Sequence, residues 1–245
     1  MSRALILGCS HAIGAEMTDE PGFALEGMEK WQYGARHSYP VLIAEALGLT
    51  PLNHAISGGS NDAMFRIFES QVSTLSHTDV VIACWTGSSR TEIWHDSDQR
   101  WIPLAAGQDS INKVIADDYM REGRHVPRTV TDEKNYLEYQ KCWVSYNTTP
   151  AIGRLNKMKN IVALNALAQL HNIQVINIDN FDFVAGPPRL TKFKFPEYIY
   201  WPVPVTFCQW ADELNSPCTP AKHYFYPTHK KFAEYVLEHI AQRQH

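Results

Sequence analysis

Ser10 is a hydroxyl placed where acyl-transfer chemistry needs one. It stands in Gly8-Cys9-Ser10-His11, directly after the apolar run Ala4-Leu5-Ile6-Leu7. Serine is a weak nucleophile at its free pKa and needs a neighbouring base. It also needs backbone or amide donors aimed at the oxyanion that forms on attack. Either His223 or His229 can supply the base, and Gly58 and Asn61 can supply donors. Plainer roles exist for most of these residues. Ser10 or Asn61 can serve as a helix cap, and His229, three positions into a helical pattern, reads first as structural. His11 and His54 with Cys9 lack zinc-ligand spacing, so no metal site is expected, and no cofactor.

Positioning these groups requires a sheet. Ala4 to Leu7, closed by Gly8, reads as a buried strand. Residues 51–56 read as a second, 79–85 as a third and 173–178 as a fourth. Between them lie helical patterns. One is capped by Ser38 and ended by Gly48, with Val41, Leu42, Ala44, Ala46 and Leu47 on its apolar face. Another is capped by Ser60 or Asn61, with Ala63, Ile67, Phe68, Val72 and Leu75 at helical spacing. From Asp132 to His171 the pattern is helical, interrupted near Thr149-Pro150, with Ile161, Leu164, Leu167, Ala168 and Leu170 as its stripe. Pro227 opens the last helix, whose buried face is Phe232, Ala233, Val236, Leu237 and Ile240.

Strand, loop and helix in alternation imply a parallel sheet with helices on both faces. Ligands bind beyond the carboxyl ends of such strands. The loops at 8–11, 57–61 and 85–88, and the approach to Pro227, should therefore converge. Residues 14–34 read as a loop. An insertion is expected at about 94–130, with a short helix near Ile111 to Met120. An aromatic-rich loop with an edge strand is expected at about 183–210; Tyr198, Tyr200, Trp201 and Phe207 there more readily pack beneath it than line a groove.

The bulk numbers narrow the class. The 245 residues fit one domain spanning 1–245. A net charge of −4 leaves no electrostatic footprint for nucleic acid. Five cysteines without CxxC spacing argue against a disulfide framework, and Cys84 sits in an apolar run as a core residue. No leader pattern and no run of 18 apolar residues occurs, so no membrane partner is expected and the chain is expected in a reducing cytoplasm. Reading Gly8 to Gly14 as a phosphate loop fails on its own terms. G-x-G-x-x-G needs Gly where Ser10 and Ile13 stand, and no acidic residue closes the second strand.

The ordered blocks resemble the SGNH (GDSL-type) hydrolase superfamily, and more narrowly its SGNH-like members in tailed bacteriophages. Gly8-Cys9-Ser10 resembles the Gly-Asp-Ser block, with Cys9 in place of Asp. Leu52-Asn53-His54-Ala55-Ile56-Ser57-Gly58 resembles the second block, whose Gly donates to the oxyanion. His223 and His229 have the six-residue spacing of the catalytic histidine and one inside the closing helix. Two blocks depart. Trp85-Thr86-Gly87-Ser88-Ser89 stands in place of Gly-x-Asn-Asp, leaving the donor role to Thr86 or Ser88. Pro220, Ala221 and Lys222 precede His223 without the family's Asp, leaving a Ser-His dyad or a carboxylate from elsewhere, such as Asp212.

The resemblance implies a three-layer, flavodoxin-like α/β fold. It also implies a serine hydrolase acting on a small-molecule or carbohydrate ester, or a catalytically silent module of the same fold serving as a phage structural or carbohydrate-binding protein. In a virus, the host cytoplasm or the virion would be its location, with virion or self-association as the partnership.

Overall fold

The computed structural model describes residues 2–20, 24–25, 27–95, 100–105, 150–181 and 196–243. Its centre is a four-stranded parallel sheet of β1 (Arg3–Leu7), β2 (Thr50–Asn53), β3 (Val80–Trp85) and β6 (Gln174–Asp179), in the order β2-β1-β3-β6. Leu5 is in register with Leu52 on one side and Val81 on the other, and Val81 with Val175.

Because side chains alternate across a strand, each strand feeds two cores. Ala4, Ile6, Ile82, Cys84, Ile176 and Ile178 face one way, onto α3 (Tyr39–Ala46), α6 (Phe207–Glu213) and α7 (Tyr226–Gln242). Leu5, Leu7, Val81, Ala83, Trp85 and Val175 face the other, onto α4 (Asn61–Gln71) and α5 (Pro150–Leu170). A parallel sheet buried on both faces reads as near-continuous apolar runs, as β1 and β3 do. The fold is α/β with three layers. Full burial of a large apolar side chain is worth roughly 1.5–3 kcal/mol. Phe68 and Phe232, both fully buried, anchor one helix to each face.

Several expectations change. Residues 27–37 form a helix, α2 (Gly27–His37), where a loop was expected. Its polar composition hides it, and Gly34 alone is buried. The start of the expected insertion holds an antiparallel hairpin, β4 (Arg90–His95) with β5 (Arg100–Ala105). The expected helix at 111–120 lies outside the described residues, as do 132–149. Leu170 is not core: it ends α5 and is 81% exposed. The aromatic-rich segment ends in helix α6, which the sequence reading missed, and residues 196–206 contain no strand. Phe207 is fully buried, whereas Tyr198 is 42% exposed. Among the described residues no helix is long and apolar enough to cross a membrane.

Candidate functional site

The carboxyl end of β1 is shaped by Gly8. A Cβ there would lie 2.5 Å from that of Ala12 and 3.0 Å from that of Cys84. Only glycine lets the next turn fold back against β3. That turn is α1 (Ser10–Ile13), with Cys9 as extended N-cap and Gly14 closing it in the left-handed region. Ser10 is therefore the first helical residue, not the cap. Its side chain is nearly buried. Among the described residues neither its hydroxyl nor its backbone N–H makes a hydrogen bond.

His223 arrives from the segment before α7. Cys218 and Tyr224 form an isolated antiparallel bridge. Inside it Thr219 N–H donates to the His223 carbonyl (2.9 Å), and Lys222 takes a left-handed φ of 62°. This tight turn presents the His223 ring 5.0 Å, centroid to centroid, from that of His11. The imidazole thus stands beside the residue that follows Ser10. No hydrogen bond joins Ser10 Oγ to His223 among the described residues. Catalytic hydrogen bonds in unliganded sites are often long.

His11 forms the floor. It packs against Phe181 (4.8 Å) and Phe207 (5.6 Å). Its Nε2 lies 3.7 Å from Cys208 Sγ, and its Nδ1 has no hydrogen bond among the described residues. Burial first, and the nearby His223 second, push its pKa well below the ordinary histidine value, so the ring is neutral.

His229 is placed differently. It is buried in α7, and its Nδ1 accepts the N–H of Tyr39 (3.2 Å), the first residue of α3. That N–H has no partner inside its own helix. Burial pushes His229 down to about 3. The ring is a neutral cap between two helices, and Phe207, at the start of α6, packs against both it and His11.

The second loop turns at Gly58, which has a φ of 72°. Its N–H makes no hydrogen bond among the described residues. Ile56 N–H donates to the Gly8 carbonyl (3.0 Å), holding the loop beside the first. Ser60, not Asn61, caps α4, accepting the Ala63 N–H (3.0 Å). Asn61 instead clamps the third loop: its Oδ1 accepts Thr86 N–H (3.0 Å), and its Nδ2 donates to the carbonyls of Thr86 (3.3 Å) and Gly87 (3.4 Å). With both amide edges engaged, Asn61 positions the loop. Thr86 Oγ is buried without a hydrogen bond among the described residues. Ser88 lines a cleft of about 820 Å³ with Asp62, Arg66, Arg90 and Trp101.

Two features of the site lie outside the motifs picked out in the sequence. Glu16, in the loop after α1, brings Oε2 to 3.0 Å from His223 Nδ1. Asp212 instead accepts from Tyr224 Oη (2.9 Å) and Lys222 Nζ (3.3 Å). Beneath the site Lys157 and Asp179 form a fully buried ion pair at 2.7 Å. The next residue, Asn180, accepts from Tyr39 Oη (2.7 Å) and donates to the Cys84 carbonyl (3.2 Å). A polar pair ending an apolar strand, Asp179-Asn180, is the signal that marks the second feature. Among the described residues no group of three His, Cys, Asp or Glu side chains is arranged to hold a metal ion.

No protein-family model matches the chain, and no curated protein matches it. Among solved structures it is similar to the psychrotrophic esterase EstA from Pseudoalteromonas sp., in a form inhibited by monoethylphosphonate. The TM-score is 0.45 at 11% sequence identity, over 100% of this chain and 99% of that one.

Proposed function

We propose that this chain is an SGNH-like serine hydrolase that cleaves an ester, with a carbohydrate O-acyl group as one candidate substrate. The observation that carries the reading is the meeting of two distant segments: the His223 ring lies 5.0 Å from that of His11, the residue after Ser10 at the carboxyl end of β1. In the proposed reaction Ser10 Oγ attacks the ester carbonyl while His223 accepts its proton. The N–H groups of Ser10 and Gly58, without hydrogen bonds among the described residues, are the donors toward the oxyanion. Collapse of the tetrahedral species expels the alcohol, which takes the proton back from His223. Water, deprotonated by His223, then releases the acid and restores Ser10.

A fluorophosphonate probe tests this. The wild-type chain should be labelled at Ser10, and Ser10→Ala should abolish labelling. His223→Ala should slow labelling by at least about 10²-fold, the scale of a positioned general base. A catalytically silent module is the second reading, supported by the engagement of both Asn61 amide edges in structure. Its signature is a folded wild-type chain that neither labels nor turns over simple acyl esters.

A further inference from the structure

Resting on that reading, we propose that Glu16 is the carboxylate that orients His223, supplied by the loop after the nucleophile instead of by the segment before the histidine. The residues at 220–222 are Pro, Ala and Lys, so the histidine's own segment offers no acid. Of the two nearest acids upstream, Glu213 accepts from Gln209 Nε2 (3.1 Å) and Asp212 is committed to Tyr224 and Lys222.

Glu16 is built to face the histidine. Its Oε2 accepts the Thr219 hydroxyl at 2.8 Å and lies 3.0 Å from His223 Nδ1. The same Thr219 Oγ accepts the backbone N–H of His223 (3.3 Å). One carboxylate oxygen therefore meets both the histidine ring and the hydroxyl that holds its backbone. The Nδ1 contact lies outside hydrogen-bond angles here. A small rotation of ring or carboxylate converts it to an Nδ1–H···O bond, leaving Nε2 as the basic nitrogen.

The backbone shows what this placement requires. Glu16 has a φ of 58°, in the left-handed region that non-glycine residues rarely occupy. Such conformations are costly and persist where surrounding structure enforces them, commonly at functional sites. The adjoining turn has a second such residue, Lys222. Both strained positions lie within the two segments that the Glu16 contacts join.

The test is Glu16→Ala in the full chain, read by ¹⁵N NMR of the histidine rings. His223 should hold its proton on Nδ1 in the wild type and lose that preference in the variant. The kcat for an activated ester should fall on the order of 10²–10⁴-fold, with KM changing less than about threefold. Glu16→Asp should recover most of the loss. Glu16→Gln keeps the loop's volume while removing the charge, so its kcat must fall as well even if Glu16→Ala disturbs the fold. In a His223→Ala background, replacing Glu16 should cost nothing further, because it acts through that ring. An unchanged tautomer, or an equal loss in the His223→Ala background, overturns the proposal. Labelling of Ser10 in the wild type with an unchanged tautomer sinks the Glu16 role alone. Absence of labelling sinks the hydrolase reading and the Glu16 role with it.

Discussion

The two ends of the central sheet are finished in opposite ways. At the amino end Asp79 accepts from Arg3 backbone N–H (2.7 Å), Arg3 Nη2 (2.7 Å) and Ser76 N–H (2.8 Å). The Arg3 side chain beside it holds the Asp79 carboxyl well below the usual carboxylate range. At the carboxyl end, His11 Nδ1, Ser38 Oγ and Thr86 Oγ are buried without hydrogen bonds among the described residues. Buried polar groups in native proteins are almost always paired, so exceptions call for an explanation. The same strands thus end in satisfied groups on one side and unsatisfied ones on the other. The first arrangement holds the sheet, and the second leaves polar capacity where a ligand would sit.

The largest effect expected tests whether the carboxyl end is nonetheless firmly founded. Lys157→Met strands the Asp179 charge in a fully buried setting, which should cost about 3–5 kcal/mol in chemical denaturation. A loss below about 1 kcal/mol would mean that the pair contributes little to this end.

A second test uses acid. His229 and His11 are neutral when folded and take up protons at the ordinary value of 6.5 when unfolded. The unfolded chain therefore binds more protons below pH 6.5, and stability falls as pH drops from there toward about 3. The slope should approach 1.4 kcal/mol per pH unit for each such ring. Asp79 runs in the same direction but contributes only below its ordinary value of 3.8. The carboxyl-end histidines should therefore weaken the fold first. His229→Gln should reduce the slope between pH 6 and 4, measured by urea denaturation at each pH; an unchanged slope would remove His229 from the acid response.

The smallest effect comes from Thr86→Val. Its hydroxyl has no partner to lose, so stability should change by less than about 1 kcal/mol in either direction, read by thermal unfolding. A larger loss would mean that Thr86 is paired in solution and that the two ends differ less than they do here.

How much of this was legible follows from which signals are local. The apolar runs of β1 and β3 and the 3.6-residue stripe of the last helix mark themselves, because strand and helix periods are written in neighbouring residues. Block order along the chain marked Ser10 and His223 as candidates, and the structure brings the His223 ring beside that of His11, the residue after Ser10. Glu16 was not marked, because its partners Thr219 and His223 lie some two hundred residues away and only tertiary packing joins them. His229 carried a histidine's signal with a cap's role: nothing local distinguishes a ring that accepts a distant backbone N–H from one that takes a proton from serine. Helix α2 escaped because its residues are mostly polar and its contacts to the core are few.

The tight seat of Gly8 gives the site a direction of give. With Gly8 pressed between Ala12 of α1 and Cys84 of β3, the serine side has little slack in which to retreat. The histidine side hangs from one bridge, Cys218 to Tyr224, and from the Glu16 and Thr219 contacts. Fitting a bulkier guest therefore falls to the later segment, and changes in guest preference should accumulate there and leave the opening turn untouched.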